Sequence, residues 1–387
     1  MQPPQADTIG GSGTAVPVTQ RALPAPLFIG SEVFRRPAFG ANHPLNIVRH
    51  AAVMDLARTM GWLSDKNYRN AAPASVDQLL EFHDRAYVRA LQYADSTGRV
   101  EPQARMRYQI GTLENPLFPG LFERAATTVG GSILAAELAL EGYVAFHPSG
   151  GTHHGRPDRA CGFCYFNDPV FALLTLLKGG RQRVLYVDFD AHHGDGVEEA
   201  FFEDRRVTTL SIHEDYRWPY TGLSSYPDAA AFNLPVAAGF NDSELDYLVA
   251  TIVLPLARAG PADALVVCCG ADSLAGDPLS TMKLSNVALW RTVEQLLALG
   301  LPTVIVGGGG YNPWTVTRYW AGLWGRISGQ DIPERLPDAA IELLRGMECD
   351  LIDDEDVDRA WLTTMADCPY PGEVRDSIKL LAESIDV

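Results

Sequence analysis

The chain has 387 residues, with 48 acidic against 31 basic side chains, a formal charge of −17 and a pI near 4.9, a balance that argues against general affinity for nucleic acid or anionic membrane. At 47% hydrophobic it can bury a large core, as one α/β domain or two smaller ones. No apolar run reaches the roughly 18 residues of a membrane span, and the start lacks the pattern of a secretory signal, so a cytoplasmic protein is expected.

Residues 1–26, rich in Pro, Gly, Ser and Thr, read as a flexible N-terminal arm, and 27–387 as one folded unit. A first strand is expected over 27–34, then a Pro-punctuated loop with His43 and Arg49 leading into a helix near 46–60. Helical periodicity covers 75–94 and 119–142, and the loop 110–116 between them carries a single acid, Glu114. A short strand over 143–146 delivers a polar cluster containing His153 and His154. The aromatic run 163–166, preceded by Gly162, leads into a helix over 169–178. Cys161 and Cys164 form one Cys-x-x-Cys, but a structural zinc site would need two further ligands and no second such pair exists.

The stretch 184–197 organises the rest. An apolar strand over 184–187 breaks into Asp188, Asp190, His192, His193 and Asp195, at the kind of strand end where open α/β sheets place their ligand crevice. If the chain stays extended, alternation sends Asp188, Asp190 and His192 to one side, a spacing suited to a metal. A salt-bridged loop is the plain alternative, disfavoured by so many charges crowded after a core strand.

Further strands are expected over 207–212, ending at His213, over 264–269, ending near Asp272, and over 303–306, running into four glycines and Tyr311. Between them lie a loop over 214–231 with Trp218, Tyr220 and Tyr226, and helices over 243–259 and 285–299; a Trp-rich helix over 313–329 and terminal helices follow. The alternation predicts a mostly parallel doubly wound sheet with helices on both faces, its polar clusters meeting at one edge.

Asp190, His192 and Asp272 then supply three ligands for a divalent ion, Zn²⁺ by donor type with Fe²⁺ also compatible, leaving positions open for water and substrate. His154 is placed to move protons, Asp188 and Asp195 to hold the two imidazoles, and Tyr311 to donate to an oxyanion, a set suited to metal-assisted hydrolysis of an amide.

The motifs around His153-His154, Gly162-Phe163-Cys164-Tyr165, Asp188 to Val197, Gly270 to Pro278 and Gly307 to Asn312 resemble the zinc-dependent histone deacetylase family, closest to its bacterial acetoin-utilisation branch. The resemblance runs from about 28 to 330 and implies a single-domain arginase-like fold. It also implies removal of acetyl or longer acyl groups from lysine of proteins or peptides, with deacetylation of small amines such as acetylpolyamines as the alternative. By this resemblance Asp190, His192 and Asp272 hold zinc, and His153, His154 and Tyr311 are catalytic, backed by Asp188 and Asp195. The backbone of Asp188, Asp190 and His192, with Ser211 and Ile212, matches a structural potassium site; Gly162, Phe163 and Leu279 match the acyl tunnel, and Arg49 a cavity below the metal. Glu114 stands where a substrate-gripping aspartate is usual, Thr152 where many relatives have an aromatic, and the second tunnel wall is left open between Trp218 and Tyr220. An oligomer is compatible with this reading. A two-metal ureohydrolase would need more carboxylates, since Gly194 and Leu274 stand where that family has acids.

Overall fold

The computed structural model describes residues 25–40, 43–259 and 262–385, so the expected N-terminal arm lies outside the described residues except for its last two positions. The strands are β1 Pro26–Gly30, β2 Tyr68–Asn70, β3 Val144–His147, β4 Val184–Asp188, β5 Val207–Glu214, β6 Ala231–Val236, β7 Ala264–Cys268 and β8 Thr303–Val306. They form one sheet in the order β2-β1-β3-β8-β7-β4-β5-β6, and every pairing is parallel.

Strand alternation gives the central sheet two buried faces. Leu185 and Val187 of β4, Leu265 and Val267 of β7 and Ile305 of β8 pack on one face, against helices Arg49–Thr59, Asn286–Leu297 and Pro313–Ile327. Val184, Tyr186, Val266, Val304 and Val306 point the other way, toward helices Leu121–Leu140 and Asp168–Lys178. Each fully buried aliphatic side chain contributes about 1.5–3 kcal/mol, so the central strands are fixed in register well before the polar ends are considered. No helix of the described residues is long and apolar enough to cross a membrane.

The structure departs from the sequence expectations in several elements, among them strand β2 and the helix Pro102–Tyr108, which no expected element covers. The first strand stops at Gly30, because the Ser31 hydroxyl accepts from Val33 N at 3.4 Å and starts a 3₁₀ turn, Glu32–Arg35. The helix expected over 75–94 is two, Val76–Leu79 and Arg85–Thr97; between them Asp84 N donates to the Pro157 carbonyl at 2.8 Å and the His83 ring bonds the Arg156 carbonyl at 3.0 Å. The helix over 243–259 widens to a π turn at Val249–Val253, just ahead of Pro255, which has no N–H for the ladder. Strand β6 was hidden by Pro235, a residue that argues against a central strand; β6 is in fact an edge.

Candidate active site

The carboxyl ends of four neighbouring strands, β3, β8, β7 and β4, carry the polar clusters. Beyond Asp188 the chain does not stay extended: Asp190 N donates to Asp188 Oδ1 at 3.0 Å and His192 N to Asp190 Oδ1 at 2.9 Å. These successive turns send Asp188 and Asp190 in different directions. Asp190 and His192 instead meet Asp272, from the end of β7, with ligand atoms of all three within 4.8 Å of one another and all three residues buried. His192 Nδ1 lies 2.9 Å from Asp272 Oδ2 and 3.2 Å from Asp190 Oδ1. Burial opposes a charge on His192, yet the two carboxylates outweigh it and raise the ring to about 10. Burial together with the charge of Asp190 raises Asp272 to about 6.

Asp188, freed from the cluster, holds His153: its Oδ2 is 2.7 Å from His153 Nδ1 and also accepts the Tyr186 hydroxyl at 2.6 Å. Burial works against charge on His153, but Asp188 and Asp190 prevail and raise it to about 9. His154 Nδ1 lies 2.7 Å from Asp195 Oδ1, at the start of helix Asp195–Phe201. Here burial, helped by neighbouring His153, wins over Asp195 and lowers His154 to about 4. The guanidinium of Arg156 bonds the other Asp195 oxygen. The two rings therefore differ: at neutral pH one is charged and the other is a neutral base.

The glycine run after β8 passes against these acids. Gly309 N donates to Asp190 Oδ2 at 2.6 Å, and a Cβ on Gly309 would fall on the Asp272 carboxylate. Gly308 and Gly310 take φ of +151° and +132°, open to glycine and strained for other residues. The run presents Tyr311, whose N–H is held by Asp277 Oδ2 at 2.7 Å and whose ring lies 6.4 Å from that of His192. Burial, reinforced by Asp272 and Asp190, pushes the Tyr311 hydroxyl well above its ordinary 10, so it stays a donor.

A tunnel of about 470 Å³ leads from the surface to this floor, lined by Gly162, Phe163, Trp218, Leu279, His154, His192 and Tyr311, with Glu114 at its side. Trp218 is the second wall: its ring is 4.7 Å from that of His154. Tyr216 and Tyr220 are 86% and 68% exposed and form the rim. Glu114 Oε1 accepts Gly162 N at 3.0 Å, so one of its oxygens already holds the turn that builds the Phe163 wall. Gly162 has φ +55°, and a Cβ there would meet the Trp218 ring and lie 2.6 Å from His154 Cδ2. Gly162→Ala is expected to lower kcat/KM by about tenfold or more and, through the left-handed backbone and the two ring contacts, to cost about 1 kcal/mol or more of stability, both readable in steady-state kinetics beside a melting curve.

Not every expected group joins this centre. His213, at the end of β5, faces His193 at 4.7 Å and bonds the Gly222 carbonyl at 3.1 Å; burial and His193 lower it to about 3, and it anchors the loop that carries Trp218. Ser211 stands opposite Asp188 across β4 and β5, with Ile212 beside it, and the carbonyl oxygens of Asp190 and His192 accept no hydrogen bond from the described residues. Sequence reading missed Tyr186, Arg156 and Asp277. Tyr186 was legible, two positions before Asp188 and hence on its face of the strand. Arg156 and Asp277 act through long-range contacts that no local pattern announces.

A parallel sheet with its polar ends gathered at four adjacent strands places the molecule in the arginase- and deacetylase-like class of α/β proteins. It superposes on a histone deacetylase homologue from Aquifex aeolicus with a TM-score of 0.88 and 34% identity, over 93% of this chain and 99% of the other. The histone deacetylase domain model matches residues 43–327, and the chain belongs to that family. It is 32% identical over 327 residues to the acetoin utilization protein AcuC of Bacillus subtilis, covering 80% of this chain and 84% of that one. The histone deacetylase clr6 of Schizosaccharomyces pombe is 32% identical over 310 residues, 77% of this chain and 76% of its own. A homologue solved in complex with SAHA matches with a TM-score of 0.87 and 33% identity, over 93% of this chain and 99% of that chain.

Proposed function

We propose that residues 27–387 form one catalytic domain, a metal-dependent amidohydrolase that removes acetyl or other acyl groups from acylated lysine of proteins or peptides. The observation that carries this reading is the convergence of Asp190, His192 and Asp272 with two differently tuned His–Asp pairs and Tyr311 at the foot of one tunnel. The donor set fits a divalent cation. Two buried carboxylates and an imidazole crowd together, and burial with the charge of Asp190 raises the Asp272 carboxyl to about 6. Zn²⁺ suits these ligands best and Fe²⁺ is also served; when bound, the ion supplies Lewis acidity toward the carbonyl oxygen and lowers the pKa of water.

The chain's own residues do the rest. His154, neutral and oriented by Asp195, takes a proton from water and delivers one to the leaving nitrogen. His153, kept charged by Asp188, adds positive charge beside the reacting carbonyl, and Tyr311 donates its hydroxyl to the oxygen as charge develops there. Phe163, Trp218 and Leu279 hold the methylene chain of the substrate. The backbone at Asp188, Asp190, His192, Ser211 and Ile212 would hold a structural K⁺, consistent with the unbonded carbonyls of Asp190 and His192. The homologue complex with SAHA supports seating a ligand in the tunnel here too.

An acetyl-lysine peptide assay tests the reading. Turnover should vanish with a chelator, return on adding Zn²⁺, and be blocked by SAHA; chelator-insensitive turnover would refute it. Glu114 beside an aromatic rim favours a second reading, deacetylation of a small acylated amine with a free cationic end. Relative kcat/KM on acetylputrescine and on the peptide decides between them.

A further inference from the structure

Beneath the tunnel floor lies a second chamber of about 80 Å³ that none of the steps above uses. At one end it is walled by His153, His154, Tyr311 and Asp190; at the other by Arg49, His50, Arg124, Leu45, Ile47 and Phe34, with glycines 150, 151, 308 and 309 between. The catalytic centre and the two arginines thus share one continuous space.

Among the described residues no carboxylate pairs directly with either arginine. Arg49 donates Nη1 to the Gly308 and Gly310 carbonyls at 2.9 and 3.2 Å, and its guanidinium lies 5.4 Å over the Trp320 ring. Arg124 donates Nη1 to the Val33 and Arg36 carbonyls, both at 3.3 Å, and lies 5.3 Å over Phe34. Among the described residues neither forms an ion pair, and Nε and Nη2 of both donate to no protein group. Among the described residues the only acid in the lining is Asp190, which belongs to the metal cluster at the far end. Two half-buried guanidiniums with spare donors are expensive to keep together without an anion. Burial lowers Arg49 although Tyr311, Asp272 and Asp190 work against it, and burial with the charge of Arg49 lowers Arg124 to about 10. His50, beside them, is held neutral by burial and by both arginines, so it adds no further charge. A planar guanidinium fork is matched in shape and charge to a carboxylate.

We propose that this chamber is a carboxylate subsite for the acyl group, so that the enzyme prefers amides whose acyl chain ends in a carboxylate, such as succinyl or glutaryl, over neutral chains of the same length. The proposal rests on the deacylase reading above. With the amide carbonyl at the metal cluster, the acyl tail runs past Gly150, Gly151, Gly308 and Gly309 to Arg49 and Arg124. Hydrolysis then adds water across the amide: the acyl carbon gains the hydroxyl, the C–N bond breaks, the nitrogen takes the proton, and a dicarboxylate leaves.

The test uses two readouts. On lysine peptides carrying succinyl or butyryl groups, four carbons each, the metal-loaded protein should favour succinyl in kcat/KM by about ten- to hundredfold, the range of a charge-assisted contact. The succinyl-to-butyryl ratio should fall below one in Arg124→Leu and stay above one in Arg124→Lys. Calorimetry on the metal-free protein should show N-butylsuccinamic acid binding at least about tenfold tighter than N-butylbutyramide, an advantage lost in Arg124→Leu. Equal binding of acid and neutral amide, or a wild-type ratio at or below one, overturns the subsite. Loss of turnover on every acyl peptide with the binding advantage intact overturns the deacylase reading and leaves the anion site standing.

Discussion

Replacing Tyr311 by Phe is expected to lower kcat for acetyl-lysine hydrolysis by about 10²–10³, equivalent to roughly 2.7–4 kcal/mol, with KM changed by less than about threefold. The hydroxyl is a donor to charge that exists in the transition state and hardly at all in the ground state, so its loss falls on kcat. The ring itself is held by contacts that Phe keeps: Tyr311 N–H stays on Asp277, and the ring stays packed near Phe163 and His192. Metal content and melting temperature should therefore match wild type. A variant of unchanged kcat would remove Tyr311 from the chemistry, and one that raises KM alone would make it a substrate-binding group only.

The parts of this site that could be read from the sequence are those carried by short-range pattern. The apolar strand before Asp188, the His pair after a strand and the glycines before Tyr311 all announce themselves, because a strand end, a turn and a steric allowance are local facts. Placing them together followed from the rule that α/β sheets gather ligands at strand carboxyl ends, and it held for β3, β4, β7 and β8. It failed for His213, which ends β5 one strand further out and serves the loop rather than the cluster. The same rule could not say which way Asp188 would turn, because the Asx turns at Asp190 and His192 depend on side chain to backbone bonds rather than on strand alternation. Trp218 as the second wall rests on anchors from His193 to Thr221 at 2.8 Å and from His213 to Gly222, contacts between segments far apart in sequence. Arg124 was invisible for a similar reason: on helix Leu121–Leu140 it is one polar residue among many, and only the fold turns it into the chamber beside Arg49.

Asp272→Asn should separate a metal site from a structural ion cluster, because the two predict different losses of stability and of metal. A buried carboxylate that merely pairs with His192 would cost about 3–5 kcal/mol to remove. Asp272 behaves otherwise. Its carboxyl sits at about 6 instead of its ordinary 3.8, since burial and the charge of Asp190 disfavour its ionised form more than His192 favours it. A carboxyl raised in this way helps the metal-free fold fully below about pH 4, and that help is lost as pH climbs through 6. Asn keeps the bond from Ala191 N, 2.9 Å from Asp272 Oδ1, and removes the repulsion from Asp190, which offsets the contact it gives up with the charged His192 ring. The metal-free variant at pH 7.5 is therefore expected to lose much less than the roughly 3–5 kcal/mol of a broken ion pair relative to the metal-free wild type in denaturant titration. It should at the same time hold less than about one tenth of an equivalent of zinc by elemental analysis and lose at least about 10³ of its activity. Wild-type metal affinity should rise with pH, because a bound ion must displace the proton that Asp190 and Asp272 hold on His192 up to about pH 10. If the metal-free variant proved several kcal/mol less stable and kept its activity, the three residues would be scaffolding, and the centre of the reaction would have to be sought elsewhere along the tunnel.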